Sequence, residues 1–256
     1  MTLDRVLSRF GLASRTVASE WIRTGRVKVN GRVVRNPDVW VRAQQDAIHL
    51  NGQRLRQARK VYLLFYKPKG VITSHGDPDA RKTIYDYLDE SLPWLVPVGR
   101  LDRDSSGLLL LTNDTDFADL ISDPASGIAK TYQVKVNGLV GNETIATLTA
   151  GVRMKRGDWA NPRSVRHVED RGKYSRLEVV LEEGKNREVR RMMEAVGFTV
   201  LKLVRTGIGP LSVKGLEVGK YRKLLPQEVA ALRSIAKKPP ADLDRLSHER
   251  GIIGPP

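Results

Sequence analysis

Residues 99–113 read GRLDRDSSGLLLLTN, and this stretch sets Asp102 between Arg100 and Arg103, ahead of Gly107 and four consecutive leucines. Gly107 precedes a strand over 108–112, and Val96 and Val98 lead the chain in from the other side. Asp102 therefore falls in a loop whose flanks are pinned to a core, the arrangement by which a fold presents a rigid reactive group from an irregular segment. An aspartate with arginine partners stays ionised at neutral pH. On local features alone a structural Arg–Asp pair is the competing reading.

Upstream of this loop, residues 61–66 (VYLLFY) form a buried strand, and the KPKG of 67–70 turns the chain out of it. Lys67 and Lys69 read either as turn lysines or as contacts to an anionic ligand. Residues 82–88 suggest a short helix after a Gly/Asp/Pro-rich loop. Downstream, Tyr132 opens an alternating strand through Val134 and Val136, placed as a core residue or as a ring lying flat on a planar ligand. Asn142 is positioned to cap a helix through Ile145 and Leu148, and Leu177, Val179 and Leu181 alternate as a further strand.

Residues 183–197, EGKNREVRRMMEAVG, then give a helix burying Val189, Met192 and Val196, with Arg187, Arg190 and Arg191 on the opposite side. That side reads as a solvated basic face or as a functional one. Residues 226–236 form a final helix with Pro226 at its start. The last 20 residues, 237–256, lack apolar periodicity and read as a flexible tail.

The 256 residues carry a formal net charge of +15, which points to a polyanionic partner, a nucleic acid first. The charge is uneven: residues 1–60 hold 13 Lys and Arg against 4 Asp and Glu, a net of +9, whereas 61–236 hold 27 against 22. The absence of cysteine excludes disulfides, thiolate chemistry and cysteine-ligated metal, and the four scattered histidines form no metal pair. No cofactor site is expected. The aliphatic run 108–111 is far short of a membrane span, and a cytoplasmic protein without membrane attachment is expected. No helix-turn-helix or zipper pattern favours DNA.

Within the basic module, Leu3, Val6, Leu7 and Phe10 fall at helical spacing and Gly11 ends the turn. Ser14 caps a second helix through Val17, Ala18, Trp21 and Ile22, with Gly25 closing it. The period then changes to two, with Val27 and Val29 leading to Asn30-Gly31, the signal of a type I′ hairpin. Arg15, Arg23, Arg26, Lys28 and Arg32 are the candidate RNA contacts here, against the alternative of an ordinary solvated basic face.

The stretch ASRTVASEWIRTGRVKVNGRVV, within residues 2–48, resembles the S4 RNA-binding domain. Together GRLDRDSSGLLLLTND, KTY and EGKNREVRRMMEAVG, in that order over residues 2–235, resemble the RNA pseudouridine synthases, in the subfamily that modifies ribosomal RNA and carries an N-terminal S4 domain. The resemblance implies an α+β fold: an S4 domain over 1–50, a linker over 51–60, and a catalytic domain over 61–236 built on a mixed, mainly antiparallel sheet with flanking helices. It implies that Asp102 is the catalytic aspartate, that Tyr132 stacks on the target uracil and serves as base at C5, and that Arg190 pairs with Asp102. Arg100, Leu101, Leu181, Asn186 and Arg187 would line or orient the pocket, and Arg191 would join Lys67 and Lys69 in contacting RNA. The third motif reads KNREVRR, with Arg187-Glu188 where other members carry a histidine–glutamine pair. That version resembles the enzymes of the large ribosomal subunit, so a uridine of 23S rRNA is the expected target, within RNA or a precursor subunit. A 16S target, or a noncatalytic RNA-binding or ribosome-assembly protein on the same scaffold, is the alternative.

Overall fold

The computed structural model describes residues 1–56, 58–74, 79–155 and 157–236; the expected tail at 237–256 lies outside them. Among the described residues no helix is long and apolar enough to cross a membrane. The chain opens with α1 (Leu3–Arg9) and α2 (Arg15–Arg23), followed by β1 (Val27–Val29), β2 (Arg32–Val33), β3 (Ile48–Leu50) and β4 (Gln53–Arg54). Ser14 caps α2 as expected, its hydroxyl accepting from the Val17 amide at 3.2 Å. Asn30 and Gly31 both take positive φ, 50° and 81°, the geometry a I′ hairpin demands. The four strands pair antiparallel in the order β2-β1-β3-β4 over a core that includes Leu3, Leu7, Ile22 and Ile48.

A second Asn-Gly hairpin corrects the expected boundary. Asn51 and Gly52 repeat the same backbone, φ 50° and 82°, and pair β4 with β3. The sheet of the N-terminal unit therefore runs to Arg54, past the point at which a linker was expected. Two-residue strands show no alternation, so only the Asn-Gly turn signals β4 in the sequence.

The larger unit is one nine-stranded sheet. Its strands are β5 (Tyr62–Lys67), β6 (Val96–Val98), β7 (Ser106–Thr112), β8 (Lys130–Asn137), β11 (Ser164–Arg171), β12 (Tyr174–Leu181), β13 (Val200–Ile208), β14 (Leu211–Ser212) and β15 (Tyr221–Lys223), while β9 (Val152–Arg153) and β10 (Trp159–Ala160) pair apart. The order is β11-β12-β8-β13-β7-β5-β15, with β6 added to β7 and β14 to β13. Only the β13–β7 pairing is parallel, so the sheet is mixed and mainly antiparallel.

The leucine run follows from cover on both faces. Leu109 and Leu111 of β7 enter one core with α4 (Asn142–Ala150) and α5 (Glu188–Ala195), and Leu108 and Leu110 enter the other with α3 (Thr115–Ser122) and α6 (Pro226–Ala236). A strand buried on both sides has no polar phase to alternate with. Gly107 is required by backbone approach: its φ is +114°, and a Cβ there would lie 2.2 Å from the Arg205 carbonyl oxygen across the parallel pairing.

Two local expectations change. Gly141, without a side-chain bond, is the cap of α4, and Asn142 is its first residue. Residues 84–87 form a single 3₁₀ turn capped by Thr83, and Val196 lies just beyond α5, whose second buried methionine is Met193. The two units meet where Arg9 bonds the Thr115 hydroxyl at 3.0 Å and the Trp94 amide donates to the Gly11 carbonyl at 2.9 Å.

Candidate active site

Asp102 lies between β6 and β7 in a loop whose carbonyls are held from behind by five consecutive anchors. Thr73 donates its hydroxyl to the Leu101 carbonyl at 2.8 Å. The Asp102 carbonyl accepts from the Ser105 amide at 3.0 Å and from Lys67 Nζ at 3.1 Å. The Arg103 carbonyl accepts from the Gly70 amide at 2.7 Å, the Asp104 carbonyl from Arg190 Nη2 at 3.1 Å, and the Ser105 carbonyl from Lys67 Nζ at 2.9 Å. None of these bonds uses the Asp102 carboxylate. Its backbone is fixed while its side chain, 32% exposed, is left to the cleft.

Lys67 is the first correction to the expected RNA contacts. It is fully buried at the end of β5 and donates to three carbonyls, those of Pro68, Asp102 and Ser105. Burial pushes its ammonium down to about 8, with the charges of Asp102 and Asp104 acting in the opposite direction. It can reach no phosphate.

The cleft in front of Asp102 encloses about 300 Å³. Leu101, Tyr132 and Leu181 supply apolar wall, and Arg100, Asn186 and Arg187 border it. Tyr132 faces inward on β8 in register with Val179 and Arg205 and is 8% exposed. The inward alternation of β8 that buries Val134 and Val136 also delivers this ring to the cleft.

The loop leading into α5 decides which cation meets the carboxylate. Arg187 is the N-cap residue of α5 in the left-handed region, φ 48°, and its Nη1 stands 3.9 Å from Asp102 Oδ2. Arg190, expected as the partner of Asp102, is instead 9% exposed and donates to the Val200 carbonyl at 3.0 Å and the Asp104 carbonyl at 3.1 Å. Burial and then the charge of Arg187 lower its pKa. Five of the eight residues of α5 are buried, Arg190 and Met193 among them, so Arg190 joins the core side rather than the solvated one. Arg191, expected to contact RNA, pairs with Asp158 and bonds the Asn186 carbonyl.

The remaining candidates are all exposed and differ in their partners. Arg23, Lys28, Arg32, Lys69 and Arg100 are exposed. Arg26 is exposed too, though its guanidinium lies 5.3 Å from the Trp21 ring and bonds Asn51 Oδ1 at 3.1 Å. Arg15 is tied to the buried Asp4 at 2.7 Å.

Three cleft residues had no signal in helical or strand periodicity. Arg205 on β13 is 4% exposed, donates Nε to the Leu108 carbonyl at 2.8 Å and leaves Nη2 without a partner. Lys130 donates to the Glu182 carbonyl at 3.0 Å, and burial followed by the charge of Arg205 lowers its pKa. Glu188 is 4% exposed beside Glu183, and burial, reinforced by that carboxylate, pushes its own carboxyl up to about 8. A charged residue inside an apolar strand, as in VLKLVRTGI, was the available clue for Arg205.

Comparison with known proteins gives the family. Residues 61–195 match the RNA pseudouridylate synthase family and residues 1–45 the S4 domain. The chain is 40% identical to ribosomal large subunit pseudouridine synthase B of Bacillus subtilis (strain 168), covering 91% of this chain and 96% of that protein. It is 38% identical to an uncharacterized RNA pseudouridine synthase of Aquifex aeolicus (strain VF5), covering 90% and 92%. A solved pseudouridylate synthase superposes with a TM-score of 0.65 at 30% identity, covering 91% of this chain and 99% of that one. A carboxylate on a locked loop facing an aromatic-lined cleft is thus found in a chain that belongs to the RNA pseudouridine synthase family, in the form that carries an N-terminal S4 domain.

Proposed function

We propose that this protein converts one uridine of 23S ribosomal RNA to pseudouridine, with Asp102 as nucleophile. The observation that carries the chemistry is the carboxylate presented to the cleft by a loop whose backbone carbonyls are held by donors behind it. The large-subunit target rests on the likeness to the Bacillus subtilis synthase named for that subunit.

The reaction breaks the bond from ribose C1′ to N1 of uracil and forms one from C1′ to C5, with no net redox change. The Asp102 carboxylate serves as nucleophile at uracil C6 or at ribose C1′, with the Arg187 guanidinium 3.9 Å away. Tyr132 offers a ring to stack on the uracil and a phenol oxygen to pass on the proton that leaves C5, while N1 gains one, so that the isomerisation balances. Arg190 acts on Asp102 through the backbone, as a positioning residue holding the Asp104 carbonyl. Unstacking the target base costs a few kcal/mol, to which phosphate contacts from the basic N-terminal unit contribute an offset. Arg23, Arg26, Lys28 and Arg32 are the residues proposed for those contacts.

The test is site-resolved pseudouridine mapping of 16S and 23S rRNA in cells with the native protein, without it, and with Asp102→Asn. One 23S site lost in both altered strains is the expected result. Loss of a 16S site instead overturns the target. If every site persists and purified protein also fails on unmodified rRNA and precursor subunits, the enzymatic reading falls.

A further inference from the structure

The half of the sheet formed by β12, β8 and β13 is covered by α4 and α5 on one face only. Tyr132, Val134 and Val136 of β8 point into that core, as do Leu177 and Val179 of β12 and Leu203 of β13. Gln133 and Lys135, Tyr174 and Arg176, and Lys202 and Thr206 point the other way and line a hollow of about 410 Å³. Its lining is basic and aromatic, and it shares no residue with the cleft in front of Asp102.

The register makes this face unusual. Lys202 on β13 lies directly opposite Lys135 on β8, and Lys135 lies directly opposite Arg176 on β12. Three cations thus stand in one row across adjacent strands, spaced by roughly 4.8 Å per strand. Like charges placed directly opposite one another destabilise a sheet. Among the described residues two acids share this face: Glu169 at the row's end pairs with both Arg176 and Arg171, and Glu178, opposite Gln133, pairs with Arg166. Among the described residues Lys135 and Lys202 have no ion pair, and Lys135 rests 4.1 Å from the Tyr174 ring centroid, with Lys173 at 5.8 Å from the same ring. A fold that keeps Lys135 and Lys202 opposite one another without a counter-charge on an open face is violating a local rule where a ligand can repay it.

We infer that this open face is a second RNA-binding surface, taking the phosphate backbone of an rRNA strand on Lys135, Lys202 and Lys173 while the target uridine occupies the cleft. Charge complementarity selects the polyanion. Lys135 follows the cleft residue Lys130 by five positions along β8, roughly 17 Å at the strand rise and on the opposite face of the sheet, so one RNA engages both sites by passing around the end of the sheet. The inference deepens the proposed rRNA function and rests on it for the identity of the RNA.

The experiment uses the full chain and unmodified 23S rRNA transcript, with binding measured from about 50 to about 300 mM KCl. Lys135→Gln/Lys202→Gln is expected to weaken binding roughly tenfold at the lowest salt and to reduce the slope of log K against log [salt] by about two. Lys135→Arg/Lys202→Arg should restore both. An unchanged slope overturns the inference, as does failure of the arginine pair to restore it. Binding of polyglutamate with the same dependence on the two lysines also overturns it, assigning the face to an acidic protein. Pseudouridine formation by the wild-type protein, assayed separately on the same transcript, reports on the enzymatic reading whatever the slopes show.

Discussion

The Asp102 loop and the entry to α5 meet across the cleft, yet they are built in opposite ways. The first has five consecutive carbonyls held by Thr73, Lys67, Ser105, Gly70 and Arg190. The second places Arg187 in a left-handed conformation and leaves its side chain 44% exposed. The backbone that carries the Asp102 carboxylate is fixed, and the cation facing it is the adjustable partner. Two arginines three residues apart consequently have different work, Arg187 facing the carboxylate and Arg190 holding the frame.

The strongest test of the rigid side is Gly107→Ala. Its Cβ would stand 2.2 Å from a backbone oxygen with nowhere to move, so a loss of about 4 kcal/mol or more, or failure to fold, is expected in urea denaturation. Wild-type stability in that variant would show that β7 and β13 can part without cost. Lys67→Met comes next: it keeps an unbranched apolar stem one atom shorter and removes three bonds to carbonyls, for an expected loss of about 3 kcal/mol and a fall in kcat through a loosened Asp102.

The arginine pair separates the two roles directly. Arg190→Met should cost about 2–4 kcal/mol in stability, because the Val200 and Asp104 carbonyls lose their donor. Arg187→Met should leave the melting temperature within about 2 °C of wild type and lower kcat by about tenfold. Equal effects of the two substitutions on stability would end the distinction.

The smallest effect concerns pH. The Glu188 carboxyl titrates near 8 in the fold, above its ordinary value, so the folded state holds a proton that the unfolded chain has released. Its stabilising share is present below about pH 4.5 and is lost as pH rises through about 8. Glu188→Gln keeps an acceptor for the Lys185 amide and abolishes that loss. Its melting temperature should match wild type near pH 5 and exceed it by a few degrees at pH 9. A gap that does not grow with pH would mean that Glu188 is not holding the proton.

By itself the sequence determined the elements whose signals are local: α2 from its Ser14 cap, the first Asn-Gly hairpin, the leucine strand, the alternation of β8 and β12, and the candidate Asp102. It also carried the family, because the motifs around Asp102, Tyr132 and Arg190 are contiguous. Only the tertiary structure decided what depends on residues distant in the chain. Lys67 looked like a turn lysine until the loop 35 residues later closed over it. Arg205 gained meaning only from its parallel neighbour β7, and Arg190 changed partner because its helical phase turns it toward β13. The cation row across β13, β8 and β12 arises from register between strands that the sequence separates by tens of residues. Local propensity is written along the chain, whereas burial and charge proximity are properties of pairs that folding brings together.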